Sequence, residues 1–171
     1  MKLSHNTIPQ EFLSNIPRGM KYVMRNGKDF LVVEQLFCPH GHSLMVDNVR
    51  LHGEPSINLV LRVGETEGMI FLDSFWGSHD KLYNFIPDLG ARHDAANDVM
   101  CPVCRASLLQ EQPERQCGAC GSGKVFAMLL PGSRNRILAC SVIGCPWHRI
   151  IAEDVPDHAA ALVDDINYFG L

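Results

Sequence analysis

The sequence predicts a mostly β protein of the α+β kind, with knuckles and hairpins between a short N-terminal helix and a C-terminal helix. Three observations carry that prediction. Apolar runs of strand length recur with Gly and Pro between them, an Asn-Gly pair joins two of those runs, and the seven cysteines fall in tight clusters. The composition, 46% hydrophobic and 20% charged over 171 residues, is that of a globular chain with a real core.

Taken in order, Thr7-Ile8-Pro9-Gln10 has capping-box spacing and predicts a helix over about 8–15. Asn26-Gly27 then separates Lys21–Arg25 from Phe30–Val33. Asn-Gly accepts the positive φ angles of a type I′ turn, so these runs read as a hairpin. Strands follow at Leu44–Leu51, Ile57–Val63 and Gly68–Leu72. Residues 73–100 read as irregular, with one short helix near 79–86 and the aromatics of Asp73-Ser74-Phe75-Trp76-Gly77-Ser78 in the core. Further strands at Lys124–Leu130 and Arg136–Cys140 flank Pro131-Gly132-Ser133-Arg134-Asn135. Asp154-Val155-Pro156-Asp157 starts the last helix, whose apolar stripe is Ala159, Leu162, Val163, Ile166 and Phe169, stopped near Gly170. Domain bounds of 1–114, β-rich, and 115–171, hairpin plus helix, follow from this order.

The cysteines form four groups with nearby histidines: Cys38 with His40 and His42, Cys101-x2-Cys104, Cys117-x2-Cys120, and Cys140-x4-Cys145-x2-His148. Two thiolates spaced Cys-x2-Cys lie on one tight turn whose N–H groups point at the sulfurs, which supplies half of a tetrahedral site. Cys38-Pro39-His40-Gly41-His42-Ser43-Leu44 echoes Cys101-Pro102-Val103-Cys104-Arg105-Ala106-Ser107-Leu108, each a Cys-Pro turn leading to Ser-Leu.

From Cys117 onward the chain resembles the C-terminal zinc ribbons of bacterial type I DNA topoisomerases. The shared features are Cys117-Gly118-Ala119-Cys120-Gly121, a hairpin, and Cys140-Ser141-Val142-Ile143-Gly144-Cys145. The resemblance covers 117–149, lacks the Pro before the last Cys, and implies a zinc-ribbon fold with Cys117, Cys120, Cys140 and Cys145 as ligands. It implies no topoisomerase chemistry, for which 171 residues leave no room. Cys38, Cys101, Cys104 and His42 then complete a second site, with His40 and His148 as alternative ligands. A rival pairing stays open, in which Cys101, Cys104, Cys117 and Cys120 form one site and Cys38, a histidine, Cys140, Cys145 and His148 the other. The expected cofactors are two zinc ions. A histidine ligand and the absence of a Cys-x2-Cys-x2-Cys run point away from iron–sulfur clusters, and a single iron suits only the rival pairing. Residues 101–149 are expected to depend on the metal for their fold.

Net charge is −4, which sets up no overall field for nucleic acid. It conceals segregation, since 115–149 hold five basic residues and no acid while 150–171 hold five acids and no base. Lys124, Arg134, Arg136 and Trp147 are the candidate nucleic-acid contacts; the same charges also suit offsetting thiolates or meeting the acidic tail. His5, His52, His79, His93 and His158 read as surface or satisfied histidines, and His79-Asp80 and His93-Asp94 as chain neighbours that do not face each other. Gly118–Val125 misses a P-loop because Val125 stands where a hydroxyl must be. No catalytic motif of the hydrolase, zincin or deaminase types occurs. The start, Met1–Asn6, has no apolar signal segment, and no run approaches a membrane span of roughly 18 residues, so a cytoplasmic location is expected. The expected role is a non-catalytic zinc protein that works through protein contacts as an adaptor or accessory subunit. The alternatives are a nucleic-acid-binding ribbon and a small zinc metalloenzyme with an open site at Cys38 and His42.

Overall fold

A computed structural model describes residues 7–87, 97–110, 116–121, 124–132 and 134–168. Expectations placed on His5, His93-Asp94, Phe169 and Gly170 lie outside the described residues. The protein is mostly β, with three sheets and two short helices.

Helix α1 (Gln10–Leu13) is shorter than expected, and Pro9, not Thr7, stands at its N-cap with no side-chain bond to the turn. Strands β1 (Met20–Arg25) and β2 (Lys28–Val33) form the expected hairpin, paired from Met20↔Val33 to Arg25↔Lys28. Asn26 and Gly27 both have positive φ, 52° and 73°, as a type I′ turn requires.

The main sheet has the order β3 (Met45–Leu51), β4 (Glu54–Val63), β5 (Thr66–Leu72), β6 (Lys81–Tyr83), all antiparallel. A fifth strand, β7 (Asp98–Met100), pairs with β4 at Val60↔Met100. Strand β3 occupies the same edge of β4 a few residues away, at Met45↔Ile57. The ten-residue β4 is therefore long enough to hold two short strands end to end, so that the end of β7 meets the start of β3. Cys101 follows the one and His42 precedes the other.

Where a helix was expected near 79–86, the chain instead forms β6. Its side chains alternate, with Leu82 47% exposed and Lys81 and Tyr83 half-buried, and β5 would otherwise leave a bare edge. Asn84 extends the pairing, its N–H donating to the Met69 carbonyl and its Oδ1 accepting from the Met69 N–H. Nonlocal hydrogen bonding outweighs the local preference here.

The third sheet contains β8 (Val125–Leu129), β9 (Arg136–Cys140) and β10 (His148–Ile151) in the order β10-β9-β8. Phe126, Met128 and Ile137 from this sheet share one buried cluster with Leu59, Leu61 and Ile70 of the main sheet. Helix α2 (Asp157–Asp164) closes the cluster with Ala159 and Val163, both 0% exposed, and Ile166 follows them inward. Leu162 leaves the expected stripe and is 55% exposed. Among the described residues, no helix is long and apolar enough to cross a membrane.

Asp164, at the end of α2, accepts the Ile150 N–H at 2.8 Å. Burial pushes its carboxyl up to about 7, against the opposing pull of that hydrogen bond and of Arg149. The unfolded carboxyl ionises near pH 4 and the native one only near 7, so this group lowers stability progressively as pH rises between them. Asp164→Asn keeps an acceptor for Ile150 and removes the charge. Its gain in stability should be larger at pH 8 than at pH 5 by about 2 kcal/mol, read from denaturant melts at the two pH values.

Candidate metal centres

The structure gathers the clustered cysteines into two four-residue groups, Cys38–His42–Cys101–Cys104 and Cys117–Cys120–Cys140–Cys145. This is the first of the two pairings, and the rival is not formed. All seven cysteines are free of disulfides.

Each group is built from two knuckles. The first cysteine of every knuckle accepts a backbone N–H two residues on: His40 to Cys38 at 3.3 Å, Val103 to Cys101 at 3.4 Å, Ala119 to Cys117 at 3.3 Å and Val142 to Cys140 at 3.4 Å. These dipoles favour thiolates and fix their direction. The Cys101 and Cys117 turns also close alike, with Arg105 and Gly121 donating back to the first cysteine's carbonyl from positive φ.

The sequence echo is a structural repeat. Leu44 N–H donates to the Leu36 carbonyl as Leu108 N–H donates to that of Val99, and both leucines are 1% exposed. Ser43 Oγ accepts from Met45 N–H as Ser107 Oγ accepts from Leu109 N–H. The isolated bridges Phe37↔Ser43 and Met100↔Ser107 complete the match. The first centre thus joins two copies of one loop, brought together because β3 and β7 share an edge of β4.

The sulfur spacing suits a tetrahedral ion. Cys38 and Cys104 sulfurs are 3.8 Å apart, Cys117 and Cys145 3.5 Å, and Cys120 and Cys140 3.6 Å. A tetrahedron with bonds of 2.3 Å has edges of about 3.8 Å. His42 Nδ1 stands 3.4 Å from Cys38 Sγ and completes the first set. Burial pushes the Cys38 thiol up, but hydrogen bonds from His42, His40 and Cys101 outweigh it and bring it down to about 7. Burial raises Cys140. A cation is the charge these buried sulfurs lack.

The alternative histidines have other places. His40 Nδ1 lies 3.4 Å from Cys104 Sγ, at the outside of the first group. His148 puts Nδ1 on the Pro146 carbonyl at 2.9 Å and stands edge-on to Trp76, with ring centres 4.9 Å apart. His79 bonds Asn167 at 2.8 Å and not Asp80, and His158 approaches Glu11 at 3.7 Å.

Of the candidate nucleic-acid residues, Lys124 and Arg134 are exposed, and Arg134 pairs with Glu153 of the acidic tail at 3.2 Å. Trp147 packs against the core of the ribbon, over Gly118, and Arg136 is half-buried.

Sequence reading missed one cation. Burial lowers the pKa of Lys81 while the nearby Cys145 sulfur raises it, and no carboxylate among the described residues pairs with it. It enters the ribbon's surroundings from β6, a strand read as helix, so no local spacing signals it. Compared with known protein families, curated proteins and solved structures, the chain matches none.

Proposed function

We propose that both cysteine centres hold zinc as a structural ion, and that the protein works through protein contacts as an adaptor or accessory subunit. The observation behind this reading is that each group offers four ligands that close on one another, which leaves no position for a reacting water. That argues against a metalloenzyme centred on Cys38 and His42. Zinc suits the mixed thiolate–imidazole set, and the free cysteines suit a reducing cytoplasm. The topoisomerase-type ribbon is the local likeness that 117–149 carry, supported by a hairpin with a knuckle at each end.

For a contact surface, the edge strand β6 and its exit offer Leu82 at 47% and Ile86 at 90% exposure. Metal analysis should give two zinc ions per chain, and the cobalt-substituted form should show two tetrahedral spectra. Capture of a protein partner from the native cell should be lost in the Leu82→Lys, Ile86→Lys double variant. Salt-dependent binding of single-stranded nucleic acid, reduced by Arg134→Glu, would instead support the ribbon as a nucleic-acid binder.

A further inference from the structure

We propose that His52, Asp73 and Asp80 form a third metal site, an open nitrogen-and-oxygen set for a divalent cation such as Mn²⁺. The three residues come from separate places in the main sheet. His52 sits in the β3–β4 turn, Asp73 directly follows β5, and Asp80 directly precedes β6. His52 Nε2 lies 2.7 Å from Asp80 Oδ2 and 3.3 Å from Asp73 Oδ2. Ligands at right angles on an ion with bonds of 2.1 Å are about 3.0 Å apart, and tetrahedral ones about 3.4 Å. The Asp73 separation falls between these edges, while the 2.7 Å to Asp80 is a hydrogen-bond distance that opens by about 0.3 Å when an ion takes its place.

Asp73 is held as a ligating carboxylate is usually held. Its side chain is 0% exposed, Oδ1 accepts the Phe75 N–H at 3.0 Å, and Oδ2 accepts the Ser78 hydroxyl at 2.7 Å. Among the described residues, the His52 imidazole is the sole basic side chain paired with either carboxylate. A divalent ion neutralises the pair fully, and a set with imidazole and no thiolate suits Mn²⁺ or Zn²⁺ over Ca²⁺.

The carboxylate side of the site borders a cavity of about 150 Å³ between the main sheet and the ribbon, whose wall includes Asp73, Ser74, Ser78 and Asp80 but not His52. Ser74 is 1% exposed and its Oγ has no hydrogen-bond partner. An orphaned hydroxyl in a cavity wall marks where a ligand's polar group is received. Three protein ligands leave further coordination positions open, unlike the closed cysteine groups.

The test is a Mn²⁺ titration of the full chain with its cysteine centres loaded with zinc, followed by the loss of the free-ion electron paramagnetic resonance signal. One Mn²⁺ per chain should bind. His52→Asn, which tolerates the turn's positive φ, and Asp80→Asn should each weaken binding at least about tenfold. Both variants should keep their two zinc ions, which separates this site from the cysteine centres, and Asp80→Asn, at a side chain 40% exposed, should melt as the parent does. Absence of binding up to about 5 mM, beyond the range of weak functional cation sites, would overturn the proposal. So would equal affinity in the parent and both variants; the three side chains would then be an ion-paired network only.

Discussion

With zinc in both cysteine centres as proposed, its removal should unfold the 101–149 region and lower the melting temperature of the whole chain by tens of degrees. In small zinc domains the ion contributes about 10–16 kcal/mol of apparent binding free energy, which is as large as the total stability of a typical domain, about 5–15 kcal/mol. The same dependence is expected here because the knuckles bury little apolar surface of their own. The ribbon's second cluster comprises Val125, Ala127 and Leu138 with two of the metal-ligand candidates, Cys117 and Cys140. The effect should spread, since Phe126, Met128 and Ile137 on the same hairpin belong to the cluster shared with the main sheet. In the first centre, Cys38 and Cys101 carry the join between β3 and β7. Cys101→Ser should therefore release β7 from β4, while Cys117→Ser should loosen the ribbon first. Circular dichroism melts with and without a strong chelator, and metal content of the two variants, check this. An unchanged melt after complete metal removal would refute it.

How much of this was legible in the sequence depended on the range of the signal. The Asn-Gly hairpin is specified by adjacent residues, and it formed with its turn at the expected pair, between Arg25 and Lys28. The Cys-Pro echo was legible because both knuckles need the same turn and the same buried leucine, Leu44 or Leu108. Strands β7 and β10 have three and four residues, too few for a period to register. Strand β6 exists because β5 has an edge to fill, which no window around residue 81 contains. The meeting of His52 with Asp73 and Asp80 depends on turns in three places. The chain-neighbour argument about His79-Asp80 correctly separated that pair, yet it gave no view of His52 across the sheet.

The packing face of the last helix was legible as an apolar stripe, of which Ala159, Val163 and Ile166 are buried. The turn that docks it was not, and that docking rests on one residue. Gly77 has φ +86°, and a Cβ added there would lie 2.5 Å from the Ile166 carbonyl oxygen and 2.9 Å from its carbon. These are backbone atoms, so rotating a side chain cannot relieve the clash. The contact is close because the turn and the segment after α2 are bonded to each other. Trp76 Nε1 donates to the Val163 carbonyl at 2.8 Å, Tyr168 N–H donates to the Gly77 carbonyl at 2.7 Å, and Ser78 bridges to Tyr168. Gly77→Ala must therefore push α2 away, which uncovers Ala159 and Val163 and opens the face of Phe12, all 0% exposed. Left-handed strain alone costs about 1–2 kcal/mol, and the loss of packing should bring the total above about 3 kcal/mol. Trp76→Phe keeps the glycine and removes one of the Val163 carbonyl's two bonds, the other coming from the Ile166 N–H at 3.2 Å, and should cost about 1 kcal/mol. The two variants should thus rank in that order in thermal melts, with Gly77→Ala alone opening the C-terminal segment to limited proteolysis at low temperature. If Gly77→Ala melts as the parent does and resists cleavage there, the segment is not docked through this turn.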